Sequence, residues 1–390
     1  MMLHPGGAAL FLWAYLVGCT TLYAATKAAL SRRKAPKNIT QPLHLLVVRP
    51  CAGAEPNLEN ALVSLSKARF SMRVTCRLAV QNASDSAAVS CARAASTLRD
   101  ASIETSVVYT HAQGLNHKAS QLQATLNAEK TNYDAVIVAD SDVDFSAVDL
   151  EAFVAPLFDN SLRTPVGAVW APPVEVGDIA ASGDRASQAI LAGSLHAFTL
   201  LGALDSGALV GKLFAIRRDT LRSIGGFSAA ERTLGEDMEI ARLLAEKGQR
   251  VTCALEAAKS LKTGRSWRAA AERYARWITV IRAQRPHLLA SYPLLFLATP
   301  ILLLAQIPVF FVAPVEAVFT AAAALIGRIV ASIAARALAG LPFSPRNSVI
   351  DAALSDALLA HAFWLALTKR GVVWRGKTLR FDEKGMLTQA

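Results

Sequence analysis

Residues 133–142, Tyr-Asp-Ala-Val-Ile-Val-Ala-Asp-Ser-Asp, constrain the fold more than any other stretch of this chain. Five small or β-branched apolar residues, Ala135 to Ala139, run without a break between polar neighbours. That is the mark of a short strand buried on both faces. Such strands belong to the middle of parallel sheets, and ligands of open α/β sheets gather beyond the carboxyl ends of the strands. Asp140 and Asp142 fall at that end. Side chains alternate along a strand, but a chain turning off the sheet can aim residues i and i+2 at one point. Two carboxylates aimed at one point repel unless a cation joins them, and hard divalent ions such as Mg²⁺ or Mn²⁺ take such oxygens, commonly together with substrate phosphates. One reading is therefore a metal–diphosphate site. The plainer alternative is a loop in which Asp and Ser cap the next helix, expected to start near Ala147.

Where the apolar residues lie decides how many domains to expect. Of 390 residues 53% are hydrophobic and 18% charged, with a mean hydropathy of +0.33. This is too apolar for an ordinary soluble enzyme and too charged for a bundle of membrane spans. The apolar excess collects at the two ends, leaving a middle of about 250 residues, enough for one α/β domain with a full core. At the front, Gly7 to Leu30 is long enough to span a bilayer and is followed by Ser31-Arg32-Arg33-Lys34. The uncharged start Met1-Met2-Leu3-His4-Pro5 argues against a cleaved signal peptide. Residues 1–31 are thus expected to be an anchor, residues 32–42 a basic linker, and the following domain cytoplasmic. At the back, apolar runs at Leu288–Val312, Val315–Leu338 and Ile350–Leu367 predict about three membrane segments within residues 288–369. Arg328 and Arg336 interrupt the second run, and Asp351, Asp356 and His361 lie in the third. Charges there must face a partner or a cavity. Three crossings would put residues 370–390 outside, whereas Lys369, Arg370, Arg375, Lys377 and Arg380 argue for a cytoplasmic tail. One run is accordingly expected to be re-entrant or interfacial.

The net charge is +11 and the sequence pI about 9.6. The basic clusters sit beside apolar stretches, which suits anionic lipid headgroups. No nucleic-acid fold signature accompanies them, so no nucleic-acid partner is expected. The five cysteines are odd in number and lack C-x-x-C spacing, as for buried thiols in a reducing compartment.

Strands and helices alternate through the middle. Strands are predicted at Leu43–Val48, Val74–Val80, Ile103–Tyr109, Val166–Trp170, Leu213–Ile216 and Arg250–Leu255. Helices are predicted at Asn57–Ala68, Ser84–Leu98, Asn116–Ala128, Arg185–Leu204 and Asp219–Ile224, with another from Gly235 to Lys247. This order implies a mostly parallel, doubly wound sheet over residues 43–265. Cys51-Ala52-Gly53-Ala54-Glu55 stands where a dinucleotide-binding loop would carry its glycines, and no Walker loop occurs. In Trp267–Arg285, Tyr274, Trp277, Ile278 and Ile281 line one face while arginines dominate the rest. Residues 266–287 therefore read as an amphipathic helix on a membrane surface.

Five polar features fall in order along this domain: Gln81…Asp85, Asn116-x-Lys118, Asp140-Ser141-Asp142, Glu236-Asp237, and Arg273-x-x-Arg276-Trp277. Each has a plain alternative: a helix cap for Asp85, a solvated helix lysine for Lys118, a dipole-matching carboxylate for Asp237, a membrane belt for the Arg/Trp group. Together with Val210-Gly211, Gly225-Gly226 and His196, their order resembles the inverting membrane glycosyltransferases of GT-A fold, and most closely the ceramide glucosyltransferase family. The resemblance runs from the N-terminal anchor to the basic tail. Two departures stand out: Ser86 where that family commonly has proline, and Lys212 where a small or apolar residue is common.

The resemblance implies an α/β GT-A (nucleotide-diphospho-sugar transferase) domain in the inner, cytoplasmic membrane, multi-pass, with its catalytic domain facing the cytoplasm. A UDP-sugar would lie across the carboxyl edge of the sheet, with Asp85 near the nucleobase or ribose and Lys118 holding the nucleotide end. Asp140 and Asp142 would hold a divalent cation, Mn²⁺ or Mg²⁺, against the diphosphate. Asp237 would be the catalytic base, Arg273 and Arg276 would answer diphosphate charge, Trp277 would shape the acceptor site, and His196 would contact substrate. The acceptor would be a lipid hydroxyl, of ceramide or of a hopanoid polyol. Two other classes compete with this. A processive polysaccharide synthase would favour Gln at position 273 and more membrane spans. A non-catalytic scaffold would lack Asp237 or the aspartate pair.

Overall fold

The structure is a computed structural model, and it describes residues 42–159, 164–204, 208–254, 256–286, 289, 291–369, 371–374, 377–382 and 385–389. The expected N-terminal anchor and most of the linker, residues 1–41, lie outside the described residues. The chain divides into two compact units. One takes Ile179–Ala197 and Gly264–Val372 among its segments; the other takes Ser31–Asp178, Phe198–Thr263 and Val373–Ala390.

In chain order the strands are β1 (His44–Pro50), β2 (Arg73–Val80), β3 (Glu104–Tyr109), β4 (Ala135–Ala139), β5 (Val143–Asp144), β6 (Val166–Trp170), β7 (Pro173–Val176), β8 (Leu213–Arg217), β9 (Arg250–Cys253), β10 (Ala258–Leu261), β11 (Val372–Trp374), β12 (Lys377–Phe381) and β13 (Leu387–Gln389). The helices are α1 (Leu58–Val63), α2 (Ala87–Asp100), α3 (His117–Ala128), α4 (Leu150–Val154), α5 (Ser182–Leu204), α6 (Arg218–Ser223), α7 (Glu236–Glu246), α8 (Trp267–Gln284), α9 (Ser291–Phe296), α10 (Ala298–Phe310), α11 (Pro314–Leu338) and α12 (Pro345–Thr368).

The sheet-bearing unit is α/β, as its alternating pattern predicts. Its seven-stranded sheet runs β3-β2-β1-β4-β8-β6-β9, with β4 at the centre and every residue of β4 buried. Alternate residues of β1 enter opposite layers. Leu45 and Val47 pack with Leu58, Leu62, Cys91 and Leu98 of α1 and α2. Leu46 and Val48 pack with Leu122 of α3 and with Ile240 and Leu244 of α7. The sheet is not uniformly parallel. β8 runs antiparallel to both β4 and β6, while the pairs β1–β2, β1–β4, β2–β3 and β6–β9 are parallel. The reversal turns the first residues of β8 toward the carboxyl end of β4. Two small sheets escape the pattern because their strands are short. One is β5-β10-β7, and the other, β11-β12-β13, is built from the expected basic tail. Leu387 N–H donates to Arg232 O, so this tail is folded strand and not a free extension. Cys51, Cys76 and Cys91 are buried free thiols.

The helical unit has a core of its own. Ala186, Ile190 and Leu191 of α5 meet Ala270, Tyr274 and Ile278 of α8 and Leu358, Leu359 and Ala362 of α12. Of the apolar stripe of α8, expected to lie on a bilayer, Tyr274 and Ile278 are buried against these helices, while Trp277 and Ile281 are half-buried. The run Leu288–Val312 is divided between the short helices α9 and α10, and among the described residues only α11 and α12 are long and apolar enough to cross a membrane. Four charges in those two helices, Arg328, Arg336, Asp351 and Asp356, have partners. Arg328 Nη2 lies 2.7 Å from Asp356 Oδ1. Asp351 takes both Arg336, at 2.5 Å, and Arg185 of α5, at 2.9 Å.

Candidate active site

β4 ends at Ala139, and the chain turns through Asp140, Ser141 and Asp142 before β5. The turn is held from three sides. Underneath, the fully buried Arg49 at the end of β1 donates to the carbonyl oxygens of Asp140, Ser141 and Val143 at 2.8–3.0 Å and lies over the Phe145 ring. On the side, Leu261 N–H of β10 donates to Asp142 O. In front, Ser141 Oγ donates to Glu55 at 2.5 Å. The next helix, α4, begins at Leu150 and is capped by Asp149, whose side chain accepts from Ala152 N–H. Neither Asp140 nor Asp142 caps it, so the capping alternative does not hold.

The carboxylates instead meet lysines. Lys118, in the first turn of α3, has three ammonium protons and three acceptors: Asp140 Oδ1 at 2.8 Å, Glu236 Oε1 at 2.9 Å and Gly211 O at 2.9 Å. It is not a solvated helix lysine. Lys212, just before β8, places its ammonium 2.5 Å from Asp142 Oδ1 and 3.3 Å from Asp140 Oδ2. Burial alone would raise the Asp140 carboxyl, but Lys118 and then Lys212 outweigh it and hold Asp140 well below the usual carboxylate range. Burial likewise works against the Lys118 charge, and Asp140 and Glu236 overcome it, raising Lys118 above the usual lysine value. Glu55 is pushed up, chiefly by burial, despite the Ser141 hydroxyl.

Asn116 and Lys118 position the second acidic group. Asn116 is fully buried; its Oδ1 caps α3 at Ala119 N–H, while its Nδ2 donates to Thr233 O and Glu236 Oε2. Glu236 is therefore held by two motif residues, and its neighbour Asp237 opens α7. Asp237 Oδ2 accepts from Gly211 N–H at 2.7 Å and Oδ1 from Met238 N–H at 2.8 Å. Burial, reinforced by the Glu236 charge, pushes Asp237 up to about 6, against Lys118 and the two backbone donors. Gly211 is the hinge of this arrangement: its N–H reaches Asp237, its carbonyl reaches Lys118, and Lys212 after it carries the aspartate pair. A Cβ on Gly211 would stand 3.0 Å from Asp237 Oδ2.

The structure thus gathers Lys118, Asp140, Asp142 and Asp237 at one edge of the sheet. Asp85 stands two residues before α2, whose N-cap is Ser86; its Oδ1 accepts from Ala87 N–H and from Gly53 N–H in the loop after β1, so it ties the two loops together. Gln81 donates to Ala112 O. Arg273, Arg276 and Trp277 lie on α8 in the helical unit, where the Arg273 guanidinium covers the Trp277 ring at 4.9 Å and Tyr274 meets Trp277 edge-on. His196 falls within α5, and only its backbone is described. Sequence reasoning missed Arg49 and Glu55, and placed Lys212 only as a departure. A charge inside the apolar run Leu45-Leu46-Val47-Val48-Arg49 was the available signal, since a buried guanidinium must find acceptors.

Among the described residues no group of three or more His, Cys, Asp or Glu side chains forms a ready-made metal cage. The donor set nonetheless fits a hard divalent ion that completes its shell with phosphate and water. Asp140 and Asp142 offer carboxylate oxygens, and with Glu55, Glu236 and Asp237 they outnumber the nearby cations Lys118, Lys212 and Arg49.

The family model for glycosyl transferase family 21 matches residues 9–387. No curated protein matches the sequence. Among solved structures, the mannosyltransferase PcManGT of Pyrobaculum calidifontis, in complex with GDP-Man and Mn²⁺, is similar at 21% identity and a TM-score of 0.50, covering 93% of this chain and 99% of that one. Glucosyl-3-phosphoglycerate synthase of Mycobacterium tuberculosis, in complex with Mn²⁺, UDP and glucosyl-3-phosphoglycerate, is 17% identical with a TM-score of 0.34, covering 61% of this chain and 80% of that one. At 21% identity the likeness to the mannosyltransferase is one of fold.

Proposed function

Because the chain belongs to glycosyl transferase family 21, we propose that it is a membrane-bound inverting enzyme that moves a sugar from a UDP-sugar to a lipid hydroxyl. Glucose is the leading sugar and ceramide the leading acceptor, with a hopanoid polyol as the alternative acceptor. One observation carries the proposal: the Gly211-Lys212 segment joins a carboxylate seated at the start of α7 to the aspartate pair at the end of β4.

Asp140 and Asp142 would hold a divalent ion, Mn²⁺ or Mg²⁺, which when bound supplies a Lewis acid for the diphosphate leaving group. Lys118, locked between Asp140 and Glu236, keeps the pair oriented and adds positive charge beside the leaving group. Asp237 accepts the proton of the acceptor hydroxyl. The hydroxyl oxygen forms its bond to the anomeric carbon as the opposite carbon–oxygen bond breaks, and that electron pair leaves with the nucleoside diphosphate. One displacement inverts the anomer. A carboxyl pushed up to about 6 is a stronger base than an ordinary aspartate yet remains ionised at neutral pH, the compromise that general-base catalysis needs. Asp85 is proposed to face the nucleoside. For Arg273, Arg276, Trp277 and His196 the roles rest on the family resemblance alone.

A lipid acceptor suits α11, which leaves Val315, Val318, Phe319, Ile326 and Val330 exposed. Two crossings by α11 and α12 would return the chain to the side on which α8 lies, consistent with the basic residues near position 370. We place the protein in the inner membrane with its catalytic unit in the cytoplasm. The test is transfer by detergent-purified protein with Mn²⁺ or Mg²⁺, offering labelled UDP-glucose and UDP-N-acetylglucosamine against ceramide and a hopanoid polyol. The expected result is a glycolipid of inverted anomer that Asp237→Asn reduces by about 10²–10⁴-fold while donor binding persists. Donor binding with no transfer to any lipid would mean a scaffold.

A further inference from the structure

We infer that Lys212 is the resident counter-cation of the aspartate pair, and that a divalent ion binds there only by displacing its ammonium. The inference rests on the proposal that Asp140 and Asp142 hold such an ion.

Lys212 reaches this position through the topology of the sheet. β8 is antiparallel to β4 with Leu213 opposite Ala139, and the pairing continues one residue further, where Asp140 N–H donates to Lys212 O at 3.0 Å. The residue before β8 must therefore stand beside the residue after β4. Its side chain is only 9% exposed, as is that of Asp142, against 32% for Asp140, so the ammonium is enclosed beside Asp142 and solvent reaches the pair on the Asp140 side. Lys118 also touches Asp140, but it divides its charge with Glu236 and Gly211 O. Lys212 is the cation that bridges both aspartates.

A divalent ion binds carboxylate oxygens at about 2.0–2.2 Å. On the oxygens that Lys212 now holds, it would stand within a few ångströms of a buried ammonium, where like charges repel strongly. The four-carbon stem of lysine lets the ammonium swing away, which a rigid guanidinium fork would do less readily. Until the ion arrives, the ammonium balances two carboxylates that would otherwise repel each other and Glu55. The apparent affinity for the ion is then lowered by the fraction of time the pair is free. An ammonium present nine-tenths of the time weakens binding about tenfold. A donor diphosphate brings its own oxygens to the ion and tips the exchange, so ion and donor enter together.

The test is titration of the full-length, donor-free protein in detergent with Mn²⁺, with free ion counted by electron paramagnetic resonance and folding checked by circular dichroism. Lys212→Met is expected to bind Mn²⁺ about tenfold or more tightly than the parent, and Lys212→Gln carries the same expectation should the methionine variant fold poorly. Lys212→Arg, which keeps the charge, is expected to stay as weak as the parent or weaker. Asp142→Asn is expected to lose the site in every background. Unchanged or weaker Mn²⁺ binding in the folded neutral variants, with the Asp142 dependence intact, overturns the displacement by Lys212 alone. Mn²⁺ binding indifferent to Asp142→Asn removes the metal site itself.

Discussion

Glu236 and Lys118 act on Asp237 with opposite signs, and this can be read in solution. As the proposed base, Asp237 would have to be ionised to accept a proton, and it is pushed up to about 6 by burial first and by the Glu236 charge second. The kcat/KM of transfer is therefore expected to rise with pH through a limb near 6 and to level off above it. Glu236→Gln removes a negative neighbour, which favours the ionised form, so the limb should move to lower pH. Lys118→Met removes the opposing cation, so the limb should move to higher pH, with a drop in rate because Asp140 also loses the nearer of its two lysine partners. Rate profiles of the three proteins between pH 5 and 8 check this, and a limb indifferent to both changes would assign the base to another group. Asn116, Lys118, Asp140 and Glu236-Asp237 were all legible in the sequence as spaced polar residues. What could not be read is that the Lys118 ammonium joins Asp140, Gly211 and Glu236, because those contacts span 22, 93 and 118 positions of chain.

At the scale of the element, β1 matters for what its last turn carries. Arg49 is a fully buried guanidinium that donates to Ala61 O as well as to the three carbonyls around the aspartate turn. A turn carrying two acidic side chains on an open sheet edge has little packing of its own, and Arg49 supplies the rigidity that a preorganised site requires. Arg49→Met takes this donor from the carbonyls of Ser141 and Val143, while Asp140 O keeps Val143 N–H and Ala61 O keeps the Ser64 hydroxyl, at a cost on the order of 2–4 kcal/mol. We expect a thermal midpoint lower by several degrees, a lower kcat, and a weaker Mn²⁺ dependence of activity. A variant of parental stability and Mn²⁺ response would show that the turn holds itself. The predicted strand ended at Val48; the structure extends it to Pro50. The apolar pattern stops at Arg49, but the hydrogen-bond ladder does not, since Arg49 pairs with Leu78 and Pro50 with Ala79.

At the scale of the whole molecule, the charges of α11 and α12 decide how the apolar C-terminal third is held. Arg328 donates through Nε and Nη2 to Asp356 and through Nη2 to Ser355. Removing one partner strands the other in an apolar setting, whereas removing both removes the mismatch. Arg328→Leu is expected to lower thermal stability in detergent by on the order of 1–3 kcal/mol, and Arg328→Leu with Asp356→Leu to recover most of it. Additive losses would mean that the pair is not coupled. Long apolar runs predict helices long enough to cross a membrane, and alternating strands and helices show a layered α/β unit, because both are local patterns that burial imposes on neighbouring residues. The sequence by itself therefore determined the α/β class, the buried central strand ending in paired aspartates, and the order of the motifs. Tertiary structure decided the reversal of β8, the division of Leu288–Val312 into two short helices, the folding of the basic tail into strands, and the seat of Lys212 on the aspartate pair. Each of those depends on which distant segment lies alongside, and a one-dimensional pattern carries no record of its neighbours across the sheet.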